Sequence, residues 1–205
     1  PAWQQIDRHD VAWIDQVPLS DGSTVDLRLT RIDPFTPDAR VVAMVPDGRG
    51  GSVERAIERP TVSAWVGEVA GRPGSRALMA RSAAGLHGYI QFDGRTEILS
   101  SGELGEGRPP MIASAAQIGI DAPVCEQAPP IEEGEALEEL APATTFLSGP
   151  CRQLPVAVDT DQELLAKFSG NTTAASAYIA TLFAGMSDIY SRDFNIRPSI
   201  CYLRW

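Results

Sequence analysis

The sequence has 205 residues, 43% of them apolar, enough for one large or two small domains with a core of their own. Much of its formal charge of −10 falls between residues 109 and 151, where seven acidic side chains occur without a Lys or Arg. With no basic stripe to neutralise phosphates, nucleic-acid binding is disfavoured, and so is attraction to an anionic membrane surface. No apolar run reaches the length that spans a bilayer. The chain starts at Pro1 rather than Met and stops at Trp205 within a strand-like run, so a fragment is expected at both ends.

The first hundred residues read as strands. Val25, Leu27 and Leu29 alternate with Asp26, Arg28 and Thr30, which places apolar groups on one sheet face and polar groups on the other. The run Val11 to Leu19 precedes them across Ser20-Asp-Gly-Ser23, a turn-forming cluster, and a hairpin is predicted. After Pro60, runs at Val62 to Ala70, Arg76 to Arg81, Leu86 to Phe92 and Arg95 to Leu99 are joined by short connections. Asp93-Gly94 is a strong hairpin signal, because both central residues of a type I′ turn need positive φ. An antiparallel meander follows, with Leu86, Gly88, Ile90 and Phe92 on one face and His87, Tyr89 and Gln91 on the other.

From about Gly105 to Pro150 the pattern changes. Seven prolines interrupt any long helix or central strand, and the glutamates add self-repulsion and solvation. Apart from a short helix over Glu132 to Leu140, an accessible connector open to proteolysis is expected.

A third pattern begins at Cys151. Leu154 to Val158 suits a buried strand. Thr160-Asp-Gln-Glu163 fits a capping box, with the Thr hydroxyl and the Glu carboxylate satisfying free N–H groups at a helix start. Gly170 ends or kinks that helix, and Asn171 or Thr172 can cap a second. Ala175, Tyr178, Ile179, Leu182, Phe183, Met186, Ile189 and Tyr190 then recur at helical spacing and predict the packing face of a long helix. Ile196 to Trp205 reads as another strand. Strand, helix and strand at these lengths predict a βαβ unit with a right-handed crossover.

Two sets of blocks resemble one protein family. Val156-Ala-Val-Asp-Thr-Asp161, Asn171-Thr-Thr-Ala-Ala175, Ser187-Asp-Ile-Tyr-Ser-Arg-Asp193 and Tyr202-Leu-Arg204 resemble the opening of a reprolysin (adamalysin) type catalytic domain. Trp65-Val-Gly-Glu-Val-Ala-Gly71, Ser75-Arg-Ala-Leu78, His87-Gly-Tyr-Ile90, Asp93-Gly94 and Ile98-Leu-Ser-Ser-Gly102 are similar to the prodomain that precedes such domains. The resemblance implies a secreted or cell-surface zinc metalloendopeptidase precursor acting on peptides or proteins, with its prodomain docked on its own catalytic domain. It implies an α+β chain: a β-rich propeptide domain over 1–104, an acidic connector over 105–150, and over 151–205 the first βαβ unit of an α/β metzincin-like domain.

Reprolysins bind zinc through His-Glu-x-x-His-x-x-Gly-x-x-His, whose Glu activates the metal-bound water. Neither His9 nor His87 begins that motif here, so it is expected beyond Trp205 and this chain alone is expected to be inactive. Cys125 is the candidate cysteine switch, a thiolate that occupies the open zinc position until the connector is cut. Cys151 and Cys201 flank the βαβ unit and are candidates for a mutual disulfide, partners elsewhere and plain thiols being the alternatives.

Asp159 and Asp161 are weak calcium candidates, their carboxylates suiting a hard cation, and helix capping is the simpler reading. His87 is expected to be an exposed strand residue, and Asn171-Thr-Thr173 matches a glycosylation sequon as well as a cap. Two other classes of function fit the composition: a non-catalytic β-rich adhesion or binding module, and a free-standing metalloprotease inhibitor that uses Cys125.

Overall fold

A computed structural model describes residues 10–102, 108–119 and 151–205. Cys125, His9 and the helix expected over Glu132 to Leu140 lie outside the described residues. Two sheets and two helices make up the rest.

The larger sheet is antiparallel and runs in the order β1 (Val11–Pro18), β2 (Thr24–Ile32), β5 (Ser63–Val69), β6 (Arg76–Ser82), β7 (Gly85–Phe92), β8 (Arg95–Ser100), β9 (Met111–Ser114). It curls into a half-barrel. Its concave face collects Ile14, Val17, Leu27, Leu29, Trp65, Val69, Met79, Ile90, Phe92 and Leu99, all buried. In β1 the alternation survives an irregularity between Ile14 and Val17, because Gln16 takes φ 55° and donates its N–H to Asp26 Oδ1 at 2.8 Å. The Asp93-Gly94 turn has φ 48° and 74°, both positive, as the short β7–β8 connection needs. Met111–Ser114, inside the stretch read as connector, is a strand paired with β8. The buried Glu97 on β8 closes the curl: its carboxylate accepts from Ser20 N–H at 3.2 Å and Ser20 Oγ at 3.0 Å, tying the β1–β2 turn to the far side of the sheet.

The smaller sheet runs β10 (Arg152–Asp159), β11 (Ile196–Arg204), β3 (Phe35–Pro46), β4 (Ser52–Ala56). β10 and β11 are parallel and joined through α1 (Gln162–Lys167) and α2 (Thr172–Phe194). β11 pairs in parallel with β3 on its other side, and β3 pairs antiparallel with β4. Strands from the N-terminal half thus extend the sheet that the C-terminal segment begins.

The expected α+β arrangement, with an α/β metzincin-like domain opening at residue 151, is overturned. The described residues are mostly β, 52% in strands and 18% in helices, and their dominant feature is the antiparallel half-barrel. The reason is topological. β11's second edge is taken by β3 and β4, which makes the small sheet mixed, and the long helix is wedged between the two sheets.

One helix cap differs in detail and the other is as expected. Asp161, not Thr160, caps α1, its Oδ1 accepting Leu164 N–H at 2.7 Å, while Thr160 Oγ1 donates to the Arg204 carbonyl at 2.5 Å. Asn171 caps α2 by accepting Ala174 N–H at 3.0 Å.

Candidate functional site at the junction of the two sheets

The two halves of the chain meet along α2. Its buried residues are Ala175, Ser176, Ala177, Ile179, Ala180, Phe183, Ala184, Ser187 and Asp188. Ile179, Ala180 and Phe183 pack with Phe35, Val41, Ile200 and Leu203 of the small sheet. Ala184 packs with Ile32, Ala64, Leu78 and Ala80 on the convex face of the large sheet, with Val66 and Tyr89 against them. The helix therefore turns an alanine-rich flank to the large sheet, where small side chains permit close approach.

This corrects the expected packing face in part: Ala175, Ile179 and Phe183 are buried as expected, while four other large side chains of the stripe are not. Leu182, Met186, Ile189 and Tyr190 are 48%, 39%, 42% and 40% exposed, so the buried arc is rotated by about 100°, roughly one residue's step on a helix, from the stripe of large side chains. A helix held between two sheets buries the flank that fits both, not the flank of greatest hydrophobicity.

Asp188 continues the alanine flank one turn beyond Ala184. Its side chain is 3% exposed, and its carboxylate accepts from Arg76 Nη1 at 2.9 Å and from Tyr89 OH at 2.6 Å. Both oxygens are thus engaged by the large sheet, which satisfies a charge that would otherwise be costly to bury. Burial, then the hydrogen bond to Asp188, pushes the Tyr89 phenol above its ordinary value, so it remains a proton donor. Sequence reasoning missed this trio. The available signal was an acidic residue in phase with Ala177, Ala180 and Ala184, but an Asp on a helix ordinarily reads as solvated.

Further bonds hold α2 to β11. Ser187 Oγ donates to the Pro198 carbonyl at 2.6 Å, and Trp205 Nε1 donates to Ser176 Oγ at 2.8 Å. Between β3 and β11, Ile200 N–H reaches the Pro34 carbonyl at 2.8 Å, Trp205 N–H the Val42 carbonyl at 3.0 Å, and Met44 N–H the Trp205 carbonyl at 2.7 Å. On the outer face Tyr202 OH donates to Glu54 Oε1 at 2.6 Å, and Arg40 pairs with Glu54 Oε2 at 3.1 Å. Those contacts hold the Glu54 carboxyl below its usual value, the Tyr202 hydrogen bond first.

A crevice of about 560 Å³ lies at the carboxyl ends of β10 and β11, lined in part by Asp159, Asp161, Arg204 and Trp205. Open α/β sheets commonly bind ligands at such ends. Here Asp159 is bound by the Arg204 guanidinium, whose Nε donates to Oδ1 at 2.8 Å and which holds the carboxyl below its usual value, and Asp161 caps α1. Each calcium candidate thus has a protein partner. Among the described residues no group of three or more His, Cys, Asp or Glu side chains is placed to hold a metal ion. The described residues therefore offer no ligand set that fits the zinc of the family resembled.

Cys151 is an exposed thiol and Cys201 a half-buried one. Parallel register sets Arg152 opposite Ile196, so Cys201 lies five or six residues farther along the sheet than Cys151. At about 3.3 Å per residue that is roughly 15–20 Å, well beyond the Cα separation of about 7 Å that a disulfide tolerates. The structure does not bring the pair together. His87 is half-buried where an exposed position was expected, and its Nε2 has no hydrogen-bond partner among the described residues. No helix among the described residues is long and apolar enough to cross a membrane.

No family model matches this chain, and no curated protein matches it.

Proposed function

We propose that this chain is the N-terminal part of a secreted zinc metalloendopeptidase precursor, in which the N-terminal strands grip the segment from Cys151 onward and the Cys125 thiolate keeps the parent protease latent until the connector is cut. The observation that carries this reading is strand addition across the chain: β3 and β4 extend the sheet of β10 and β11, as an inhibitory or chaperoning propeptide would do for the segment that follows it. The clamp of Arg76 and Tyr89 on Asp188 works in the same direction, since it fixes the C-terminal helix to the N-terminal sheet. The two family-like sets of blocks, in prodomain-then-catalytic order on one chain, supply the chemical class. In this reading the zinc motif belongs to the longer parent, and Cys125 is the inhibitory thiolate.

The test is hydrolysis of a peptide by the parent protein before and after cutting between residues 120 and 150. Latency before the cut, chelator-sensitive hydrolysis after it, and basal activity raised by Cys125→Ala are expected. A parent that shows no chelator-sensitive hydrolysis after cutting would refute the enzymatic reading and leave the non-catalytic binding module. Activity on cutting with no response to Cys125→Ala would remove the thiol from the latency.

A further inference from the structure

A second cavity, of about 210 Å³, opens where β6, α2 and β11 meet. Three guanidinium side chains line it, one from each element: Arg76, Arg192 and Arg197, with Ser187, Ser191 and Asp188 beside them. In a chain with 27 acidic and 17 basic side chains, a cavity with three arginines and one carboxylate runs against the composition.

The three positive charges are not equally engaged. Arg76 is bound to Asp188, whose second oxygen is taken by Tyr89. Arg192 pairs with Asp193, which is not part of the lining. The Arg197 guanidinium has no hydrogen-bond or ion-pair partner among the described residues. Ser187 has already spent its proton on the Pro198 carbonyl at 2.6 Å, and Ser191 makes only a long contact with the Ile196 carbonyl at 3.4 Å. Recognition in this cavity therefore falls chiefly to the guanidinium groups.

The geometry points to a binding site for a small tetrahedral oxyanion, phosphate or sulfate, held chiefly by Arg197 with Arg192 beside it. A guanidinium presents five N–H donors in a planar fork that matches two oxygens of such an anion. The volume equals that of about seven waters at ~30 Å³ each, room for the anion with part of its hydration. The bound anion bridges α2 and β11 close to where Asp188 already joins α2 to the large sheet. This inference does not depend on the enzymatic reading.

The experiment is calorimetric titration of the chain with inorganic phosphate, with sulfate as competitor and chloride at matched ionic strength as control. Both tetrahedral anions stabilise proteins generally by exclusion from their surfaces, so comparison of variants decides the matter. Saturable phosphate binding is expected, displaced by sulfate but not by chloride, and weakened about tenfold or more by Arg197→Gln. Arg49→Gln, at a remote exposed arginine, leaves it unchanged. Absence of saturable binding, equal binding by Arg197→Gln and the parent sequence, or equal weakening by Arg49→Gln each overturns the proposal.

Discussion

The Asp188 carboxylate on α2 accepts the phenolic proton of Tyr89 on β7 at 2.6 Å, across a sequence separation of 99 residues. With Arg76 on its other oxygen, this buried group is the polar fastening between the C-terminal helix and the N-terminal sheet.

Removing its charge is expected to loosen the junction. Asp188→Asn keeps the shape but leaves Arg76 and Tyr89 with a neutral, partly mismatched partner, at a cost of about 2–3 kcal/mol, and Tyr89→Phe costs about 1–2 kcal/mol. In urea titrations the double variant should lose less than the sum of the two, with a coupling of about 0.5–3 kcal/mol. Strict additivity would show that the hydrogen bond contributes nothing of its own.

Two glycines of the large sheet are required by close backbone approach. A Cβ on Gly67 would overlap the Arg28 carbonyl, and one on Gly88 the Leu78 carbonyl. Gly67→Ala and Gly88→Ala should each destabilise by about 2–3 kcal/mol, through strand displacement. Gly185 on α2 is the contrast, since its Cβ would meet only Leu78 Cδ2 at 3.6 Å, an ordinary contact. Gly185→Ala should be neutral or stabilising by about 0.5–1 kcal/mol. Thermal unfolding of the three variants ranks them.

Much of the large sheet was legible because its signals are local. The Asp93-Gly94 turn, the alternation of β2 and the runs of β5 to β8 need only neighbouring residues to declare themselves. Residues 35–56 carried no comparable pattern: β4 is exposed along its whole length, and β3 is defined by a partner some 160 residues away in the chain. The existence of α2 could be read from its periodicity. Its orientation could not, because two sheets compete for it and the alanine flank fits between them. Asp188 was overlooked for the same reason, its role depending on Arg76 and Tyr89 from a distant part of the chain. Cys151 and Cys201 show the limit of a flanking argument, since parallel register fixes how far apart two flanks lie.

Stability should fall on mild acidification through His87. Burial holds its imidazole below the ordinary 6.5, against a hydrogen bond with the Ala84 backbone that acts the other way. The unfolded chain therefore binds this proton more readily than the folded one. The contribution is fully present above about 6.5, declines as pH falls toward the lower folded value, and is flat below it. His87→Phe should remove that slope, seen as urea midpoints that no longer differ above and below about 6.5.

Thiol chemistry checks the register of the small sheet. Under native conditions Cys151 should react quickly with a thiol reagent and Cys201 more slowly, following their exposure. Mild oxidation should yield no Cys151–Cys201 bridge on non-reducing peptide mapping. Recovery of that bridge would require β10 and β11 to be shifted against each other.

The most direct measurement cuts the chain once between residues 120 and 150 and follows the pieces by gel filtration without denaturant. Residues 1–119 contribute β3, β4, Arg76 and Tyr89, and residues 151–205 contribute β11 and Asp188. If the N-terminal strands grip the C-terminal segment, the two pieces elute together as a one-to-one complex and separate only in denaturant. Separation under native conditions would contradict it.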